Sequence, residues 1–119
     1  MLPIAILNSR LASASDDLSV RIWDVESARE LQRLSGHTIS PYGVRFSPDG
    51  KRLASAAGHR WQPQHAGEVI VWDVATWQCE TYSETSAGFF AAVFTPDGKS
   101  LAGAATDGVI RLWDVASER

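Results

Sequence analysis

The sequence predicts an all-β fold built from about three copies of one unit of short antiparallel strands. Three observations predict it. One segment occurs three times, as residues 10–25 (RLASASDDLSVRIWDV), 52–74 (RLASAAGHRWQPQHAGEVIVWDV) and 100–115 (SLAGAATDGVIRLWDV), each ending in Trp-Asp-Val. A self-similar period of this size marks a repeat architecture before any single residue is interpreted. Two of the connectors carry Pro-Asp-Gly, at 48–50 and 96–98, where Pro sets a turn and Gly can take positive φ. No stretch shows the apolar spacing of an amphipathic helix.

The elements follow in chain order. The opening 1–7 (MLPIAIL) is apolar but has no basic leader or small-residue cleavage site and is too short to span a bilayer. It is read as a strand, weakly enough marked that the first unit lacks a clear inner strand. Strands at 44–47 and 92–95 run into the Pro-Asp-Gly turns. The next strands, 53–57 and 101–105, are rich in Ala and Ser, which suits sheets that approach each other closely. Strands at 20–23, 69–72 and 109–113 are β-branched and aromatic, as buried strands should be. Outer strands are expected at 31–34 and, less distinctly, at 80–83.

The tryptophans Trp23, Trp72 and Trp113 are 49 and 41 positions apart, and the second spacing fits a repeat of about 40 to 45 residues. The first is longer because the middle copy carries a seven-residue insertion within 58–67 (GHRWQPQHAG) and one extra residue in the preceding connector.

These residues resemble the WD-repeat (WD40) β-propeller family, whose unit of four antiparallel strands runs from Gly-His to Trp-Asp. Gly36-His37 through Trp72-Asp73 is one full unit with Ser-Pro-Asp-Gly at 47–50, and the resemblance covers nearly the whole chain. It implies a partial propeller of about three blades, the first and last incomplete. Blade 1 is 1–35, blade 2 is 36–84 with its insertion, and blade 3 is 85–119 without an outer strand. The regular turns and near-identical Trp-Asp-Val endings are similar to the duplicated repeats of bacterial WD-repeat proteins.

The resemblance also implies a buried relay of His, Ser or Thr, Asp and Trp in each unit. The middle unit supplies His37, Ser55 and Trp72, but the Asp position, six before the Trp, is Ala66. The first has Ser13, Asp17 and Trp23, with no Gly-His. The last has Asp107 and Trp113, with Gly103 in place of Ser and Thr85-Ser86 in place of Gly-His. The relay is therefore expected to be incomplete everywhere, leaving the blades to apolar packing. His37, Asp17, Asp107 and the Trp-Asp aspartates Asp24, Asp73 and Asp114 are read as structural, since residues repeated in every unit rarely mark one active site.

Composition narrows the function. With 119 residues, 45% hydrophobic and 21% charged, the chain has the make-up of a soluble globular unit. A net charge of -3, with its eleven Lys and Arg scattered, argues against nucleic acid as a partner, and no stretch is long enough to argue for a membrane. Cys79, the single cysteine, cannot form an internal disulfide, which fits the cytoplasm. No catalytic constellation, phosphate-cradling loop or cofactor fingerprint is present. His59 and His65 share a loop, but zinc sites show tighter paired spacing and a fourth ligand, so no metal is expected.

The expected function is non-catalytic protein binding or scaffolding. The insertion should share one face of the propeller with the connectors 36–42 and 83–90. Arg60 and Trp61 are types that dominate binding hot spots, and Tyr42 and Phe90 occupy matching positions at the start of the inner strands, so a protein or peptide could bind there. The competing role is structural: Trp61 packs its loop down, and Tyr42 and Phe90 line the central channel. Propellers close rings of four to eight blades, so this chain is expected either to belong to a longer propeller or to close a ring as a homo-oligomer. A regulatory propeller in a larger kinase or protease, or a truncated product without a role of its own, are the alternatives.

Overall fold

The computed structural model describes residues 4–7, 9–15, 17–37, 41–58, 67–82, 89–105 and 108–115, apart from the side chains of Leu7, Tyr42, Phe89 and Phe90. Among them are eleven strands and no helix: β1 Ile4–Leu7, β2 Arg10–Ala14, β3 Val20–Asp24, β4 Glu30–Leu34, β5 Pro41–Phe46, β6 Arg52–Ala57, β7 Glu68–Asp73, β8 Cys79–Tyr82, β9 Phe89–Phe94, β10 Ser100–Ala105 and β11 Ile110–Asp114. They form three antiparallel meanders, β1-β2-β3-β4, β5-β6-β7-β8 and β9-β10-β11. Ile4–Leu7, weakly marked in the sequence, is the inner strand of the first sheet, pairing Ile4 with Ser13 and Ile6 with Leu11. The first sheet therefore has its inner strand after all.

The turns explain the repeated motifs. In the Pro-Asp-Gly turns, Gly50 and Gly98 take φ of 75° and 73°, which glycine adopts without a Cβ penalty. Ser47 Oγ–H donates to Asp49 at 2.7 Å, and Lys51 N–H donates to the same carboxylate at 3.0 Å. Thr95 and Lys99 do the same to Asp97 at 2.7 and 2.9 Å. The final Val of each Trp-Asp-Val also has a job: its N–H donates to the carbonyl that precedes the second strand, at 2.8 Å for Val25 and 2.9 Å for Val74 and Val115. This closes the β2–β3, β6–β7 and β10–β11 pairs at the same end.

Alternation along the strands gives each sheet two faces. The front of the first sheet, with Ala12, Ala14, Val20 and Ile22, packs on the rear of the second through Val44, Leu53, Ile70 and Trp72. The front of the second, with Ala54, Ala56, Val69 and Val71, packs on the rear of the third through Ala92, Leu101, Phe94 and Trp113. The four alanines are fully buried, so the small side chains of β2 and β6 sit where the sheets meet. The inner strands stand side by side, β1 touching β5 and β5 touching β9.

One turn departs from its repeat. Leu18 holds φ of 79° at the position where the third unit has Gly108 at 80°, and each N–H donates to the carbonyl three residues before it at 3.1 Å. A left-handed conformation costs an L-residue roughly 1–2 kcal/mol, part of which glycine returns through its greater unfolded-state freedom. Leu18→Gly is expected to stabilise the chain by about 0.5 kcal/mol. Urea unfolding checks it: a lower midpoint in the variant would show that the Leu18 side chain contributes more than the strain removes.

Candidate functional site

The polar centre of the molecule lies at the loop end of the second sheet. His37 follows the outer strand of the first sheet, Ser55 is mid-way along β6, and Trp72 and Glu68 lie on β7. The Trp72 indole N–H donates to Ser55 Oγ at 3.1 Å. Ser55 Oγ lies 2.6 Å from His37 Nε2, and His37 Nδ1 lies 2.9 Å from Glu68 Oε1. For a neutral imidazole, one proton arrangement satisfies all three contacts. Ser55, already accepting from Trp72, donates its hydroxyl proton to Nε2, and Nδ1–H donates to the Glu68 carboxylate. The imidazole is then neutral, and burial favours that state by pushing His37 below the ordinary value of 6.5 against the opposing pull of Glu68.

The relay expected to lack its acid is therefore complete. Ala66 does not supply it; Glu68, two residues further on, does. The Glu68 carboxylate reaches His37 from the first residue of β7, opposite Ala57. The signal was present in the sequence, since Glu68 is the one acidic residue between Ser55 and Trp72. Gly36 matters for a different reason: a Cβ there would meet the Trp72 ring at 3.1 Å and Ile70 at 3.3 Å. Gly36-His37 thus lets the chain lie against the indole while the imidazole turns inward.

Serine, imidazole and carboxylate stand here in the order of a nucleophile, base and acid. Ser55 is nevertheless fully buried, and its oxygen already accepts the Trp72 N–H. No substrate carbonyl can approach it, so these three groups hold structure.

The other units keep parts of the arrangement. Trp23 donates to Ser13 Oγ at 3.1 Å. Asp17 pairs with Arg21 and accepts from the Ser19 hydroxyl at 2.6 Å, and these hydrogen bonds, Ser19's foremost, hold it well below the usual carboxylate range. In the third unit Gly103 offers no hydroxyl, and the Trp113 ring lies against Tyr82 with centroids 5.4 Å apart. Asp24 and Asp73 each cap the turn after their Trp, Asp24 accepting Ser27 Oγ–H at 2.6 Å and Asp73 accepting Ala75 N–H at 2.8 Å. Asp107 lies outside the described residues.

Arg60, Trp61, His59 and His65 also lie outside the described residues. The base of their loop is described: Ala57 pairs with both Pro41 and Glu68, so the insertion rises from the end of the sheet where the connector enters. Tyr42 and Phe90 occupy equivalent backbone positions. Pairing passes from Pro41↔Ala57 to Gly43↔Ala56 and from Phe89↔Ala105 to Ala91↔Ala104, leaving each as the extra residue of a β-bulge. Bulges re-aim a strand, here at the same end in two successive sheets. Among the described residues no cluster of His, Cys, Asp and Glu could hold a metal.

A family model, WD domain, G-beta repeat, matches residues 7–24, 28–73 and 63–114. The chain belongs to the WD40-repeat family. Its three sheets are three WD40 blades in series, the third with three strands among the described residues. Similar proteins include Nuclear distribution protein PAC1 of Arthroderma otae, 32% identical over 109 residues, 89% of this chain and 24% of that protein. WD repeat-containing protein 1 of Gallus gallus is 30% identical over 112 residues, 91% of this chain and 17% of that protein. Coronin-7 of Bos taurus is 51% identical over 45 residues, 38% of this chain and 5% of that protein. The chain thus spans about a quarter of the PAC1 relatives it matches.

The WD40 relay generates two predictions. Ser55→Ala leaves a buried indole N–H and a buried imidazole nitrogen without partners, and should destabilise the chain by about 3 kcal/mol, more than Glu68→Ala, whose carboxylate is partly exposed. Urea titrations of both variants rank them; equal effects would mean that Ser55 is not the hub. The second concerns pH. His37 binds its proton more weakly folded than unfolded, so its contribution is full above 6.5 and is lost as pH falls through the lower folded value. Asp49 and Asp97, held below 3.8 chiefly by the Lys51 and Lys99 backbone N–H groups, begin to withdraw stability only under more acid conditions. The unfolding midpoint should therefore drop between pH 7 and pH 5, and drop less in His37→Gln.

Proposed function

We propose that this chain is a non-catalytic protein-interaction module that works in the cytoplasm and receives a protein or peptide segment on the face bearing the 58–67 insertion. The observation that carries this is the anchoring of that face. His37 at the end of one connector and Glu68 at the foot of the insertion are joined at 2.9 Å, and His37 is tied in turn to the buried Ser55. A loop mounted on such a fixed foot, beside two bulged inner strands, suits recognition, since binding residues are disproportionately on loops held by a scaffold. WD40 proteins in general mediate protein–protein contacts, which supports the same role here. The Arg60 and Trp61 side chains would supply the anchors, with Tyr42 and Phe90 flanking them.

A second reading has an observation of its own. Because the chain spans about a quarter of PAC1, it can serve as one sector of a larger propeller protein, with the insertion acting for the whole. Both readings place recognition on the same loop. The test is a double variant, Arg60→Ala with Trp61→Ala. Proteins captured on the parent chain would be titrated against both forms by calorimetry, after circular dichroism shows the variant folded. A loss of affinity of about tenfold or more is expected. Unchanged affinity for every captured protein would remove the loop from the binding site.

A further inference from the structure

His37 ties the connector that enters the second sheet to the interior of that sheet. Its side chain is 1% exposed, and its ring nitrogens reach two strands, Nε2 to Ser55 on β6 at 2.6 Å and Nδ1 to Glu68 on β7 at 2.9 Å. The layer between the first and second sheets is otherwise apolar, with Ala14, Val20 and Leu34 from one side and Val44, Ile70 and Trp72 from the other. Among the described residues, Glu68 is the one charged group that acts on the imidazole.

Proton count decides which state this cluster tolerates. With a neutral imidazole, Ser55 donates to Nε2 while accepting the Trp72 N–H, and Nδ1–H donates to Glu68, so every proton has an acceptor. A protonated imidazole is a donor at both nitrogens. Its Nε2–H has to use Ser55 Oγ, which already accepts the Trp72 N–H at 3.1 Å. The Ser55 hydroxyl proton then loses its acceptor, because among the described residues Ser55 Oγ has these two contacts and no other. Ser55 is fully buried, so water does not replace what is lost. Glu68 has no such conflict: its carboxylate is 17% exposed and attracts the imidazolium.

We infer that the His37–Ser55 contact is an acid-released latch: a proton taken from solvent by the imidazole draws His37 off Ser55 toward Glu68 and water, freeing the Gly36-His37 end of the connector while β6 and β7 stay paired. The rest of the second sheet does not depend on that proton. Pairing of β6 with β7 runs from Arg52↔Asp73 to Ala57↔Glu68 through backbone groups that do not titrate. Gly36 has no side chain with which to hold the connector against Trp72 and Ile70, so the two hydrogen bonds of His37 fasten it there. Burial pushes His37 below its ordinary 6.5, which keeps the latch closed at neutral pH and opens it in acid. The first unit supplies an internal control. Trp23 N–H donates to Ser13 Oγ at the same 3.1 Å, and none of the three histidines of the chain, His37, His59 and His65, precedes that unit. The latch is independent of what the insertion binds, so its test needs no partner.

Nuclear magnetic resonance of the isotope-labelled full chain, followed from neutral to acid pH, tests this. Departure of the imidazole admits water to Ser55. Hydrogen exchange at the Trp72 indole N–H, corrected for its intrinsic pH dependence, should therefore quicken about tenfold or more relative to Trp23 as the His37 ring titrates. The amides of Ala54 and Val71, opposite each other in the β6–β7 pair, should keep their protection over the same range. His37→Gln should abolish the selective response of Trp72. A double variant of the insertion, His59→Gln with His65→Gln, should retain it. Equal responses of Trp72 and Trp23, loss of the Ala54 and Val71 protection together with that of Trp72, a response that survives His37→Gln, or one that vanishes in the double variant would each overturn the latch.

Discussion

Ala12, Ala14, Ala54 and Ala56 lose all contact with solvent where the front of one sheet meets the rear of the next. Larger side chains there would hold the sheets apart, and overpacking a filled core typically costs about 1–3 kcal/mol per site. Small residues on the second strand and branched residues on the third, against Leu and Trp from the neighbouring sheet, make a dry, interdigitated layer. Each sheet is too thin to hold a core of its own, so the junctions are the core, and turns, relay and loops all take their positions from them.

The relay shows how a polar network fits within such a core. Trp72 contributes its ring to the apolar layer and its N–H to Ser55, and Ser55 passes the hydrogen bond on to His37 and Glu68. Among the described residues no buried side-chain nitrogen or oxygen lacks a partner, which is the condition under which a buried network adds order instead of cost. It also fastens the connector before β5 to the start of β7. Those two segments meet where the insertion begins and ends, so the most buried polar group of the blade fixes the foot of that loop.

The three units divide these tasks unequally. The second, flanked on both faces, has the full relay and the deepest burial. The first keeps the Ser–Trp bond at its open rear face, and its aspartate serves a local turn with Ser19 and Arg21. The third replaces the serine by Gly103 and sets its tryptophan against Tyr82 of the unit before it. Polar anchoring is therefore concentrated where a sheet is covered on both sides, which is also where the long loop stands.

Much of this was legible in the sequence, because it depends on local chemistry repeated in register. The Pro-Asp-Gly turns with positive-φ glycines, the Ala-rich second strands and the Trp-Asp-Val endings each impose their geometry on a few neighbouring residues, and three copies remove the ambiguity of one. The inner strand Ile4–Leu7 was faint because a four-residue apolar run has no period of its own and becomes a strand by pairing with β2. The bulges at Tyr42 and Phe90 were hidden too, since a bulge is a mismatch between two strands and belongs to neither alone. Glu68 was missed because the expected position was counted along the chain, whereas a hydrogen bond is formed through space. The sequence by itself determined the repeats, their strands and their turns; tertiary structure alone decided which carboxylate reaches His37 and which apolar faces are covered, because both depend on what an adjacent strand or sheet brings within a few ångströms.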